Sequence, residues 1–169
     1  MSEAILGALI ATGGGIVGGL LALIGTTVIE SRARHNEGKQ LARSVAAEVR
    51  SVISMLEKGR YVENLKALAE QALEGHRPLP IQVTQDYYAI TNSNLARIGL
   101  MRRNLPDLLA RHLTQLKFWA EDMSALHSGG WDKRDDLQMQ FGLQQAGEIL
   151  NGALIAGREF AAAVEREYP

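Results

Sequence analysis

The side chains with the widest chemical range in this chain are four histidines, His35, His76, His112 and His127. Two histidines one helical turn apart can ligate zinc, with a glutamate between them acting as general base. No two of the four stand at that spacing, and no HExxH occurs. His112 falls on the inward side of a helical pattern and reads as a hydrogen-bonded core histidine rather than a base. Glu121 and Asp122 are adjacent carboxylates, but neighbouring helix positions point in different directions, so they read as a solvated face. Lys133-Arg134-Asp135-Asp136 is a mixed charge run suited to a surface. Ser128-Gly129-Gly130 is too short for a phosphate loop and lacks the GxxxxGK[ST] frame. The chain has no cysteine, which excludes thiolate metal sites, disulfides and a cysteine nucleophile. The expectation is a non-enzymatic protein with no metal and no cofactor.

Two basic clusters could hold an anion. One combines Lys58, Arg60, His76 and Arg77; the other combines Arg97, Arg102 and Arg103. Basic groups beside free backbone N–H groups at helix ends can bind phosphate. The plainer reading is preferred: solvated loops, or contacts to anionic lipid heads. Charged residues are 22% of the chain and the formal net charge is -1, which gives no basic excess and no reason to expect nucleic acid as a partner.

The elements that carry these groups begin with an apolar run, AILGALIATGGGIVGGLLALIGTTVI, over residues 4–29. It contains no charge, Asn, Gln or Pro, and about 20 apolar residues suffice to cross a bilayer as a helix. A buried soluble helix is seldom uncharged over such a length. A cleaved signal peptide normally opens with basic residues, whereas Met1-Ser2-Glu3 has none, and its apolar core is shorter. Residues 1–29 are therefore expected to form a transmembrane segment and residues 30–169 a helical cytoplasmic domain. The orientation rests on Arg32, Arg34, Lys39 and Arg43, since basic residues near a span favour the cytoplasmic face.

Small residues repeat every four positions in this run, at Gly7, Ala11, Gly15 and Gly19 and again at Gly14, Gly18, Ala22 and Thr26. That spacing puts each series on one helical stripe, and the two stripes adjoin. Backbones can approach closely along such a face, so Gly7, Ala11, Gly14, Gly15, Gly18, Gly19 and Ala22 are expected to pack membrane helices together in a homo-oligomer. The bland alternative is that membrane helices simply tolerate glycine.

Leucine, alanine and glycine dominate the rest and aromatics are only 5%, which favours an all-α fold. Leu41, Val45, Val49, Val52, Ile53 and Leu56 keep helical spacing, so the membrane helix is expected to continue to Lys58-Gly59. A second helix over residues 61–74 would bury Leu65, Leu68, Ala69 and Leu73. Two prolines make residues 75–80 a loop. A third helix is expected over residues 86–97, capped by Thr84 and ended by Gly99. A fourth, capped by Asn104 with Pro106 in its first turn, would bury Leu109, Leu113, Leu116, Trp119, Ala120, Met123 and Leu126. Ser128-Gly129-Gly130 breaks the chain, and Asp132 would start a last helix with a heptad-like seam at Leu143, Gly147, Leu150, Leu154, Gly157, Ala161 and Val164. The fold class is thus all-α: one N-terminal transmembrane helix continuous with a long cytoplasmic helix, plus a bundle of about four helices.

Residues 88–100, YAITNSNLARIGL, precede a helix carrying Leu116, Phe118 and Trp119. This stretch resembles a loosely defined group of short, uncharacterised bacterial proteins with one N-terminal membrane helix and a helical cytoplasmic domain. In that group a turn with Tyr, Asn and a Gly-Leu pair leads into a Leu- and aromatic-rich helix. The resemblance implies a bacterial inner-membrane, single-pass protein and carries no activity with it. Read from the residues alone, Asn92 and Asn94 suit a helix end and Gly99 a left-handed cap.

Two functional classes fit. One is a pore-like or effector-like membrane homo-oligomer whose cytoplasmic domain senses a signal or partner, by analogy with stress and antiviral effectors. The alternative is a membrane-tethered adaptor that recruits another protein. A phage lysis protein, with its domain outside the cytoplasm, runs against the distribution of basic residues.

Overall fold

A computed structural model of the chain describes residues 3–74 and 88–169, with side chains described at residue 27 and from residue 29 onward. Every regular element among the described residues is helical. In order they are α1 (Glu3–Lys58), α2 (Tyr61–Leu73), α3 (Ala89–Ser93), a 3-10 turn (Leu95–Leu100), α4 (Leu105–His127) and α5 (Asp136–Glu167). The fold is all-α, as composition and periodicity predict.

Helix α5 is the hub, packed by α4, α2 and α1. Its apolar seam is broad because small and large residues alternate along it. Leu143, Ala146, Leu150, Ala153 and Phe160 are all fully buried. Burying each leucine or phenylalanine contributes about 1.5–3 kcal/mol. Helix α1 runs antiparallel to α5, with Arg50 paired to Glu165 at 2.7 Å and Arg158 paired to Glu57. Helix α2 carries the same register onward, since a Cβ on Gly147 of α5 would meet Leu65 Cβ at 3.7 Å. The two helices therefore act as one interrupted rod along α5.

The interruption lies where sequence places a stop. The Gly59 amide donates to the Met55 carbonyl and the Arg60 amide to the Glu57 carbonyl, closing α1. Arg60 then takes the left-handed conformation, with φ 50°. A Cβ at Gly59 would stand 2.3 Å from the Tyr61 ring, so a side chain there would push that ring aside.

Several sequence expectations shift by a turn or a face. In α2, Leu73 is half-exposed and Ala72 takes the inward place beside Leu65 and Ala69. The expected third helix is two short pieces split at Asn94, and Gly99 is not left-handed: among the described residues Gly129 is the positive-φ glycine. In α4, Leu113 and Ala120 are partly buried, while Leu105 and His112 complete the inward line. Asn104 precedes α4 without a side-chain cap. Helix α5 begins after Asp135 rather than Asp132, because Asp135 and Gln138 form a reciprocal capping box. The seam from Leu143 to Val164 is buried throughout. The 75–80 loop, the Thr84 cap, His76 and Arg77 lie outside the described residues.

Among the described residues no helix is long and apolar enough to cross a membrane. Apart from Thr27 and Ile29, the apolar run over residues 4–29 has no described side chains. The expected span and its packing residues Gly7, Ala11, Gly14, Gly15, Gly18, Gly19 and Ala22 therefore fall outside the described side chains. The α1 backbone is helical through the run.

Candidate functional site

The most organised polar cluster lies where α1, α3, α4 and α5 meet. The inward face of α4 carries His112 into the core with no solvent exposure. A carbonyl can only accept, so His112 Nδ1 donates to the Ala153 carbonyl of α5 at 2.7 Å. That leaves Nε2 as an acceptor, and the Tyr88 hydroxyl donates to it at 2.5 Å. The Tyr88 and His112 rings meet edge-on, 5.7 Å between centroids. A Cβ on Gly157 would stand 2.8 Å from His112 Nδ1 and 2.9 Å from Ile53 Cδ1, so the imidazole fits because α5 has glycine there.

Glu48 of α1 completes the cluster. Its carboxylate accepts from the Ile90 amide at 2.7 Å, the Thr91 amide at 2.9 Å and the Thr91 hydroxyl at 2.6 Å. It thus caps the first turn of α3 from another helix. Burial pushes the Tyr88 hydroxyl well above its ordinary range, and the Glu48 charge adds to that. Burial lowers the pKa of His112, and its bond to the Ala153 carbonyl works weakly the other way. Both groups are therefore neutral near pH 7. A catalytic base needs access to substrate, and here both ring nitrogens of His112 already have protein partners. The core-histidine reading describes its geometry.

Residues 88–100 form a strap from this cluster along α1. Arg97 pairs with Glu37. At Gly38 the strap backbone comes so close that a Cβ would lie 2.3 Å from the Leu100 carbonyl oxygen. Just beyond, Met101 is buried and the Arg102 amide donates to the Tyr168 hydroxyl at 3.0 Å. Arg103, left-handed at φ 53°, pairs with Glu167 at 2.6 Å. Arg43 donates to the carbonyls of Tyr168 and Pro169 at 2.8 and 2.9 Å, and Lys39 donates to Pro169 at 3.2 Å.

These contacts divide the two basic clusters. Lys58 and Arg60 are exposed at the α1–α2 corner. Arg97, Arg102 and Arg103 gather at the level of Gly38, about 30 Å away along α1 at 1.5 Å per residue. Within the second cluster Arg97 and Arg103 each face a carboxylate, which reduces the net positive charge there. Sequence reasoning missed Glu48 and Gly38. Gly38 carried a usable signal, because a glycine inside a helix costs about 1 kcal/mol unless something approaches closely. Glu48 carried none.

Open troughs lie elsewhere. One, between α1 and α5, is lined by Arg50, Ser54, Glu57, Arg158 and Ala162, with its ion pairs crossing it. Another, of about 530 Å³, lies between α2 and α5 beside Lys66, Glu70, Glu148 and Asn151. No group of three or more metal-ligating side chains occurs among the described residues.

The chain matches no protein-family model, no curated protein and no solved structure.

Proposed function

We propose that this is a membrane-anchored, non-enzymatic homo-oligomer, pore-like or effector-like, in which the helical domain reads a signal or partner and α1 carries the response to the membrane. The continuity of α1 carries this reading: one helix holds both the apolar run and a core face that starts at Leu41. At 1.5 Å per residue the run 4–29 is about 39 Å long, enough to cross a bilayer with tilt. Ile29, at its end, is 69% exposed, as a lipid-facing residue would be. About 14 Å further along lies Gly38, with Arg102 and Arg103 at the same level. Together with Arg32 and Arg34 they would face anionic lipid heads.

A reporter that works only in the cytoplasm, fused after Pro169, should be active; activity only outside would favour the lysis reading. Gly15→Leu and Gly18→Leu should keep membrane insertion and lose the cross-linked oligomer. If both variants keep the oligomer, the glycine face is not the interface. A second reading has its own observation: Leu137 and Phe141, one turn apart on α5, are 68% and 67% exposed. Such a pair suits an adaptor that docks a partner helix. Monomeric variants that retain function in cells would select it.

A further inference from the structure

We propose that the strap over residues 88–100 is an acid-sensitive latch between α4 and α1, with His112 as the group that binds the releasing proton. The inference concerns the bundle alone and stands whether or not α1 enters a membrane. It starts from topology. Helices α1 and α4 both pack on α5, and α1 has its further main contacts with the 3-10 turn, α3 and α2. The strap therefore lies along α1, and Tyr88 at its head reaches α4 through His112. It is fastened at two kinds of point. On α1, Glu48 holds Ile90 and Thr91, and Glu37 holds Arg97. On α4, the fastening is the hydrogen bond from Tyr88 to His112.

The α4 fastening depends on one protonation state. Neutral His112 offers one donor and one acceptor, and its partners match both: a carbonyl that can only accept and a hydroxyl that donates. A second proton turns Nε2 from acceptor into donor, so the bond can persist only reversed, from Nε2 to the Tyr88 oxygen. Tyr88 must then turn its hydroxyl hydrogen away, into surroundings where it is 7% exposed. The charge itself finds no counter-ion. From α5 the imidazole meets the Ala153 carbonyl and lies against Gly157, and Ile53 of α1 lies against the same glycine. The carboxylate on that side, Glu48, is committed to three donors on the strap. The charged neighbours in sequence are paired outward: Arg111 with Glu159, and Arg158 with Glu57. A buried charge without a partner is costly, so the closed form resists the proton and the proton favours any form in which His112 is opened to water. The strap is the piece that can leave, since it is one brief helix and a 3-10 turn fastened through Glu48, Glu37 and His112, whereas α4 and α5 share an extended apolar seam.

The direction of the pH effect follows. Burial lowers the affinity of His112 for a proton below that of an ordinary histidine at 6.5. The unfastened form binds the proton more readily, so the latch is fully closed above pH 6.5 and loosens as pH falls below it. Strap opening should rise about tenfold for each unit by which the folded-state midpoint lies under the ordinary value.

Hydrogen exchange on the full chain, corrected for the intrinsic pH dependence of amide exchange, tests this. Between about pH 7.5 and 5, residues 88–100 should lose protection while the centre of α5 keeps it. His112→Gln, which cannot take up the proton, should remove that pH response. Unchanged protection of the strap in the wild type, or an equal loss in His112→Gln, would overturn the proposal. Should the variant fail to fold, nuclear magnetic resonance titration of the wild type decides. A His112 midpoint below the ordinary histidine value of 6.5, moving together with strap resonances, supports the latch. A midpoint at or above that value overturns it.

Discussion

Replacing Gly38 with alanine should loosen the strap while improving the intrinsic helicity of α1. The new Cβ would stand 2.3 Å from the Leu100 carbonyl oxygen and 3.1 Å from its carbonyl carbon, where ordinary contact begins at 3.4 Å. Both atoms are backbone, so no rotamer can move aside. The strap must retreat by roughly 1 Å, and overpacking of this kind costs about 1–3 kcal/mol. Against that, alanine in a helix interior gains about 1 kcal/mol over glycine. The expected net loss is about 1 kcal/mol, or a melting temperature lower by about 2–4 °C for a domain of this size. Gly99→Ala is the control, since its Cβ would meet nothing within 4 Å. It should stabilise by up to about 1 kcal/mol through the unfolded chain. Urea denaturation of the full chain in detergent, followed by the fluorescence of buried Trp119 and Trp131, reads both. If Gly38→Ala is as stable as Gly99→Ala, the close approach of strap and helix does not exist.

Leu150→Ala, at a fully buried position of the hub helix, should cost about 2–5 kcal/mol, seen as a lower denaturant midpoint. Asp135→Ala removes the capping box of α5 and should cost about 1 kcal/mol, with faster amide exchange confined to the first turn of that helix. Arg50→Ala breaks a pair whose side chains are 48% and 68% exposed; its effect should stay under about 1 kcal/mol and vanish in 1 M salt. A larger or salt-independent loss would mean that Arg50 contributes through packing on the α1–α5 trough.

The long elements were legible because apolar spacing is a local property. The α5 seam from Leu143 to Val164 is buried as its four-and-three steps predict, and α1 ends at Lys58 where Gly59 follows. The strap was not legible, since its shape is set from a distance. Asn94 does end α3, as a residue suited to a helix end can, but the sequence still reads as one helix up to Arg97. Where the two pieces lie is set by Glu48 gripping one end and Gly38 admitting the other, across more than forty residues of sequence. The same limit applies to the polar cluster. His112 could be placed inside from its position on α4, but its partners lie 24 and 41 residues away and no pattern names them. The start of α5 was misplaced for a local reason: Asp132 and Asp135 are both good caps, and only Asp135 has Gln138 in position to reciprocate.

The central place of α5 sets a timetable for synthesis. The ion pairs that seat α1 join residues 101 and 115 apart in the chain. A ribosome adding about 5–20 residues per second needs on the order of ten seconds to cover that distance. During that interval the face from Leu41 to Leu56 has emerged and its partner has not. Helices α2 and α4 appear meanwhile, but each also awaits α5 as its main packing surface. The nascent chain therefore carries an unpaired apolar stripe until its last helix is made, and a pause or truncation before residue 136 leaves three helices with no hub to gather them.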